Sequence, residues 1–149
     1  MAVYDITGTI APAATKTPVI YTGSATIRAR LLEFLAATIG VPSSEASFQI
    51  QVRPSTAAGT STAVTPRPRN GVSTASGTAG SNCTVEPTYT AGQPLLQRQG
   101  NPRNSLQWNA LQGDAEINSI AASANGFGAQ ITIPGGALTS VDVDMAVGE

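Results

Sequence analysis

The chain has 149 residues, a formal net charge of −1 and a charged fraction of 11%. That fraction is less than half of the roughly 25% typical of soluble domains, so Ser, Thr, Asn, Gln, Gly and Ala are expected to cover the surface. The near-zero net charge gives no electrostatic attraction to nucleic acid or to an anionic membrane, and no apolar stretch approaches the roughly 20 residues needed to span a bilayer. A surface poor in charge favours contact with other proteins, because little charge is desolvated there.

The N-terminal region predicts two strands. Tyr4, Ile6 and Ile10 alternate with polar residues, with Gly8 as a weak point or bulge, and the β-branched and aromatic segment 19–22 follows a linker over 12–18. We expect residues 1–22 to form an N-terminal arm or first strands that contact a partner, and residues 23–149 to form a single β-sandwich domain. The first five residues lack a basic region before an apolar run, which predicts synthesis in a cytoplasm without a secretory signal.

Residues 27–39 fit two patterns. Ile27, Leu31 and Phe34 fall at helical spacing, whereas Ala29, Leu31 and Leu35 also lie on one face of a strand. The local pattern slightly favours a helix, and the strand remains an alternative.

The central region predicts one strand and a long loop. Phe48, Ile50 and Val52 alternate with polar residues and indicate a strand with one dry face. Residues 55–81 are dominated by Ser, Thr, Ala and Gly around Pro66 and Pro68, which predicts a long loop or edge excursion that orders against a partner.

The C-terminal half predicts further short strands separated by turn residues. The Asn125-Gly126 dipeptide predicts a turn, and residues 97–104 predict a polar excursion between strands. The strand patterns fall at residues 83–89, 95–96, 106–110, 117–120, 127–133 and 141–147. This succession predicts an all-β protein, an antiparallel sandwich, jelly roll or barrel.

Catalytic and metal-binding patterns are weak. With no His and one cysteine, a zinc site would need carboxylates alone, and a serine or cysteine nucleophile has no imidazole base. Asp142 and Asp144 share one strand face, which suits a solvated surface better than a Ca²⁺ site. Cys83 is expected to be a packing residue, and the Asn82-Cys83-Thr84 sequon is attributed to chance. We predict no enzymatic activity, no cofactor and no metal.

The arginines give the clearest candidate sites. Arg67 and Arg69 lie in one predicted loop, and Arg98 and Arg103 lie in another together with Asn101. Arginine is enriched at protein interfaces because its planar fork binds carboxylates at two points. Exposed aromatics between the basic residues, expected in a nucleic-acid binder, are missing. Docking loops at a protein interface are preferred over ordinary solvated loop charge.

The order of these features resembles a known family. A Thr-Ala-rich loop leads to the Pro-Arg-Pro of residues 66–68, followed by Glu86-Pro87, the segment 90–96, the segment 101–108 and an acidic alternating terminal strand. From about Arg28 to Glu149 the chain is similar to the small capsid decoration (cement) proteins of tailed bacteriophages, which are jelly-roll β-sandwiches. The resemblance implies a strand over 27–39.

The resemblance also implies a function and partners. Such proteins are non-enzymatic, lie on the outer capsid surface of the virion and bridge subunits of the major capsid protein. They form homo-oligomers, with a trimer favoured, and bind neither nucleic acid nor membrane. On this basis the contact residues are expected to be Tyr4, Arg67, Arg69, Arg98, Asn101 and Arg103. The alternatives are a receptor- or carbohydrate-binding head-fibre module and a tail or connector component.

Overall fold

The computed structural model describes residues 1–10, 15–40, 47–71, 73–110, 117–118, 125–132 and 140–149. Within these residues the predicted all-β fold is confirmed, since every regular element is a strand and all strand pairs are antiparallel. In chain order the strands are β1 (Val3–Ile10), β2 (Thr15–Thr22), β3 (Arg30–Thr38), β4 (Phe48–Ala57), β5 (Thr60–Val64), β6 (Arg67–Pro68), β7 (Thr78–Val85), β8 (Thr88–Tyr89), β9 (Leu96–Gly100), β10 (Leu106–Asn109), β11 (Ile117–Asn118), β12 (Gly126–Thr132) and β13 (Val141–Gly148).

The strands form two sheets in jelly-roll order. Sheet A runs β10-β3-β13-β1-β6, with β11 also paired to β3, and sheet B runs β5-β7-β2-β12-β4-β8, with β9 also paired to β4. The central part, β10-β3-β13-β1 against β2-β12-β4-β9, has the eight-stranded jelly-roll arrangement. Residues 58–95, named the insertion here, contain β5 to β8 and widen both sheets.

One apolar core lies between the sheets. The alternating residues of β13 and β4 point into it, as their patterns predicted, and large side chains such as Phe34 and Phe127 are at most 1% exposed. Removing an aliphatic or aromatic side chain of this size from water contributes about 1.5–3 kcal/mol. Burial of these side chains therefore fixes which face of each strand is inside.

The ambiguous segment 27–39 contains strand β3, so the local preference for a helix was wrong. The pairing of β3 with β13 shifts register between Ala146 and Val147, so that Glu33 opposes Ala146 and Leu31 opposes Val147. This bulge leaves one extra residue in β3 and places Leu31 and Phe34 on the same buried side. A three-residue spacing of buried positions imitates one turn of a helix, which explains the misleading pattern.

The N-terminal residues form interior strands. β1 lies between β13 and β6 in sheet A, and β2 lies between β7 and β12 in sheet B. Residues 15–18, which the sequence assigned to a linker, belong to β2, while residues 11–14 lie outside the described part.

Three further predictions differ from the structure. The expected loop 55–81 contains the end of β4, β5, β6 and the start of β7, and residues 97–100 of the expected polar excursion belong to β9. These strands lack apolar alternation because they lie at or near sheet edges, where little of either face is buried. Gly126 begins β12 instead of a turn, since it pairs with Thr22 and Ser55. Glycine is needed there for close approach to β2, because a Cβ would lie 1.8 Å from the backbone oxygen of Tyr21.

Candidate protein-interaction surfaces

The outer side of sheet B carries a surface of glutamines, named the amide face. Strand pairing places Gln97 beside Gln51 and Gln51 beside Gln130, and places Gln99 beside Gln49 in the next row. The alternation of β4 sends Phe48, Ile50 and Val52 into the core and its two glutamines outward. Three strands that are separate in sequence therefore form one amide surface. The residues of the amide face are Gln49, Gln51, Gln97, Gln99 and Gln130.

Hydrogen bonds along the amide face connect its side chains. Gln51 Nε2 donates to Gln97 Oε1 at 2.7 Å and to Gln49 Oε1 at 3.3 Å. Arg53 donates to Gln130 Oε1 at 3.3 Å, and its guanidinium lies 5.3 Å from the centroid of the Tyr89 ring. An amide surface both donates and accepts hydrogen bonds, and covering it desolvates no ion. It is therefore suited to broad contact with a polar protein surface.

An arginine rim, formed by Arg98 and Arg103, lies at the β9 edge of sheet B and in the segment that follows it. Arg98 is opposite Ile50, so its side chain projects from the face of β9 that is turned away from the glutamines. It is exposed because β9 is at the sheet edge, and its Nη1 donates to the carbonyl of Gln97 at 2.9 Å. Arg103 is exposed in the segment that joins β9 to β10. A partner that covers the amide face and wraps around the β9 edge can touch both the glutamines and the rim.

Asn101 supports the rim from within the turn. Its side-chain oxygen accepts the backbone N–H of Arg103 at 2.8 Å, and its carbonyl accepts the N–H of Asn104 at 3.0 Å. Asparagine in this position stabilises a turn. Thr38 of β3 donates its hydroxyl to the carbonyl of Pro102, which holds the turn against sheet A. The structure thus gives Asn101 a positioning contact, beside a shallow cavity of about 330 Å³.

The outer side of sheet A is acidic, and Arg69 lies on it. Arg69 Nε donates to the two carboxylate oxygens of Asp5 at 2.9 and 3.1 Å, and its Nη2 donates to Glu33 Oε2 at 2.5 Å. These hydrogen bonds, the one to Glu33 first, raise the pKa of Arg69 above its ordinary value. The guanidinium is therefore engaged within the fold, where it joins the insertion to β1 and β3.

The two arginine pairs predicted from the sequence lie apart. Arg67 of β6 pairs with Asp5 of β1, at one edge of sheet A. β10 forms the opposite edge, and the segment that carries Arg103 leads into it. Arg67 is exposed. A single flat partner cannot cover both pairs at once, because the width of sheet A separates them.

Tyr4 lies in the interior of the molecule. Its side chain is 2% exposed, and the residue pairs with Val147 of β13 and Pro68 of β6. Its phenol is therefore unavailable to a partner while β1 stays in sheet A.

Glu149 anchors the segment of the insertion that leads into β7. Its side chain accepts the backbone N–H groups of Ser76 at 2.7 Å and Gly77 at 2.9 Å, and it accepts the hydroxyl of Tyr21. Burial, reinforced by this hydrogen bond, raises the pKa of Tyr21 above its ordinary value. The carboxylate therefore links the insertion to β2 through three donors.

A second polar cluster holds the corner between β7 and β8. The Thr17 hydroxyl donates to Glu86 at 2.6 Å and lies 2.7 Å from the hydroxyl of Tyr89. Lys16 adds a 4.0 Å ion pair with Glu86. Close by in β7, Cys83 is 3% exposed, as expected for a packing residue, and burial raises the pKa of its thiol to about 11.

Catalytic and metal-binding geometry is sparse in the described part of the chain. No group of three or more His, Cys, Asp or Glu side chains there is close enough to hold a metal ion. The same residues include no helix of the length and hydropathy required to cross a membrane. All seven aromatic residues are described, and each is buried or half-buried.

Sequence reasoning identified only part of these surfaces. The alternation around Gln49, Gln51 and Gln130 predicted outward amides, but nothing local to those strands shows that they are neighbours. Gln97 and Gln99 were missed because their strand lies at a sheet edge and is polar on nearly every residue. The anchoring role of Glu149 had no signal in the sequence. No protein-family model matches this chain, and no curated protein matches its sequence significantly.

Proposed function

We propose that this protein is a non-enzymatic virion structural protein that decorates a phage capsid on its outer surface. It stabilises the capsid by binding across neighbouring subunits of the major capsid protein. The resemblance over residues 28–149 to the small decoration proteins of tailed bacteriophages motivates the proposal, and the jelly-roll sandwich is the fold that the resemblance implies.

The amide face with its arginine rim is the observation that carries the proposal. It is a surface of five glutamines without a carboxylate among them, and a partner can cover it without desolvating an acid. Arg98 and Arg103 at its border supply charge-assisted hydrogen bonds to acidic or carbonyl groups of the partner. Their exposed position suits a rim that orients the contact, while the glutamines provide area.

Two properties of the scaffold suit repeated binding on a shell. The two sheets share one apolar core, which holds the strands of the amide face in a fixed register and preorganises it. A capsid presents many equivalent positions, and a protein that bridges two subunits gains affinity from the second contact by effective concentration. Modest contacts at each subunit therefore suffice.

Carbohydrate binding is less well supported by the site. Sugar recognition relies on open aromatic platforms, whereas Trp108 packs against the core cluster and the Tyr89 ring is covered by Arg53. A protein of the tail or connector would use the same surfaces. An experiment that locates the protein on the particle distinguishes this position from the capsid.

Co-sedimentation with purified phage heads that lack the protein tests the proposal. We expect saturable binding to expanded heads and a higher temperature of DNA release from the decorated heads. The double variant Arg98→Glu and Arg103→Glu should bind at least about tenfold more weakly, equal to about 1.4 kcal/mol. Arg28→Glu, an exposed arginine outside the rim, is the matched control and should bind as the parent does. Heads that bind no protein at saturating concentration would overturn the proposal, and selective binding on a glycan array would support the receptor-binding alternative.

A further inference from the structure

The edges of the two sheets differ in how well they are protected. A sheet edge presents unpaired backbone N–H and C=O groups, and proteins commonly block it with proline, charge or very short strands. In sheet A, β6 is two residues long, contains Pro68 and follows Pro66, and neither proline has an N–H group, while the other edge is formed by the short strands β10 and β11. In sheet B, the edge formed by β8 and β9 carries Arg98 in its longer strand.

β5 is the exception among the described edges. It pairs with β7 on one side, and no described strand pairs with its other side. Its five residues contain neither proline nor charge, and Thr60, Thr62 and Ala63 are exposed. An accessible neutral edge of this length is a template for a further antiparallel strand.

We propose that β5 pairs with β5 of a second copy of this chain, so that the two B sheets join into one continuous sheet across a two-fold axis. A two-fold contact uses the same patch on both subunits and so requires a self-complementary segment. When the two-fold axis passes beside Thr62, all five residues of β5 in one copy pair with β5 of the other copy. Thr62 then opposes Thr62 of the second copy, and Thr60 opposes Val64.

The side chains are compatible with this register. On the face shared by Thr60, Thr62 and Val64, strand pairing continues into β7 through Val85, Ser81 and Ala79, with a register shift between the Thr60 and Thr62 rows. The two-fold contact therefore aligns small and β-branched side chains, which pack well across antiparallel strands. Val85, which is 58% exposed in the single chain, lies in the same row as Val64 of the second copy. No like charges meet at the contact, since the segment carries none.

The proposed β5 contact produces a dimer, and it does not depend on the proposal that the protein binds a capsid. A two-fold interface cannot by itself form the trimer that the family resemblance implies, and a trimer would need another surface. The amide face lies on β4, β9 and β12, several strands from β5 in sheet B. It therefore remains available in the dimer, and self-association and head binding can fail separately.

In the proposed dimer, residue 62 of one copy lies opposite residue 62 of the other, and the test uses this pairing. Thr62→Lys and Thr62→Glu each place two like charges opposite one another, whereas a mixture of the two variants places opposite charges together. We expect twice the chain mass for the parent protein by light scattering at tens of micromolar. Each single variant should have half that mass, and the mixture should regain the full mass as a heterodimer. Thr90→Lys and Thr90→Glu, exposed substitutions outside β5, serve as controls and should leave the dimer intact.

A second variant keeps the test decisive if the charged variants fold poorly. In a Cys83→Ser background, Thr62→Cys should give a covalent dimer with a short bis-maleimide, and Thr90→Cys should not. A monomeric or trimeric parent protein would overturn the proposal. So would single charged variants that remain dimeric, a mixture of folded variants that stays monomeric, or the absence of cross-linking at residue 62.

Discussion

The eight-stranded jelly roll and the insertion between β4 and β9 are both made of strands, but different interactions hold them. The jelly roll supplies Phe34, Phe127 and Met145, each at most 1% exposed, to the core between the sheets. Of the described residues in the insertion, only Ala79 belongs to the buried core cluster. The insertion is instead attached through backbone pairing of β6, β7 and β8 with jelly-roll strands and through polar side-chain contacts, made by Arg69 on sheet A, by Glu149, and by Glu86 with Thr17.

This difference separates the residues that set the global stability of the protein from those that position the insertion. Apolar burial in the jelly roll sets the free energy of global unfolding, because core contacts are lost only when the sheets separate. The polar anchors position the insertion and its β5 edge, and their loss should open that part locally. Substitutions in the two regions should therefore differ both in size and in kind.

Phe34→Ala in β3 should have the largest effect. Phe34 is 1% exposed and opposes Met145 and Trp108 in the neighbouring strands. Its truncation should lower the free energy of unfolding by about 3–5 kcal/mol, from lost burial and the remaining cavity. Urea denaturation measures this change. The adjacent Leu35→Ala, on the exposed face at 37%, is the control and should change stability by less than about 0.5 kcal/mol. Equal losses for both variants would contradict the assigned strand faces.

Glu149→Ala should have the next largest effect and should act on the insertion. The change leaves the N–H groups of Ser76 and Gly77 and the hydroxyl of Tyr21 without their acceptor. Loss of a partner for the buried Tyr21 hydroxyl costs about 1–3 kcal/mol, whereas the exposed N–H of Ser76 can bond to water instead. Hydrogen exchange should accelerate most around residues 76–77, with a smaller change in β3 and β13. Tyr21→Phe removes one of the three donors and should cost less. Uniform acceleration across both sheets would show that Glu149 is not a local anchor.

The stability of the protein at alkaline pH should test whether the Cys83 thiol in the insertion is shielded from water. Burial raises the pKa of this thiol from 9.0 to about 11, so the native state keeps its proton when the unfolded chain releases it. The unfolded state then binds fewer protons, and stability falls as pH rises from about 9 to 11, by at most about 1.4 kcal/mol per pH unit from this group. Urea denaturation across this range should give a shallower decline for Cys83→Ala. Parallel pH profiles for the two proteins would contradict the burial argument.

Arg69→Ala should have the smallest effect on global stability. The guanidinium binds Asp5 and Glu33 on an exposed face, and exposed ion pairs of this kind contribute about 0–1 kcal/mol. We expect a small decrease in unfolding free energy, reduced further by high salt. Arg67→Ala, two residues earlier in β6, is the matched comparison. A loss above about 2 kcal/mol would place Arg69 among the core determinants of the fold.

The sequence predicted the jelly-roll strands where one face of a strand is buried. β1 and β4 alternate between buried and more exposed residues over most of their length, and β12 and β13 do so over residues 129–132 and 141–145, because one side of each faces the core there. The pattern failed where that condition is absent, as in β5 and β9 at the sheet edges. It was ambiguous in β3, where a bulge changes the spacing of buried residues.

The candidate surfaces depend on register, which local patterns do not contain. Gln51, Gln97 and Gln130 become neighbours only after three strands pair. The sequence grouped Arg67 with Arg69 but did not show that Arg69 is bound by acids from β1 and β3. The rim residues Arg98 and Arg103 are exposed because turn and edge residues remain in solvent, and their role at an interface stays a prediction.

A cryo-electron microscopy reconstruction of phage heads decorated with the purified protein would show directly where the protein binds. We expect sandwich-shaped density on the outside of the capsid, in contact with more than one major capsid subunit through the amide face and the arginine rim. Density confined to the tail or connector, or decoration that contacts the capsid only through other surfaces, would contradict this expectation.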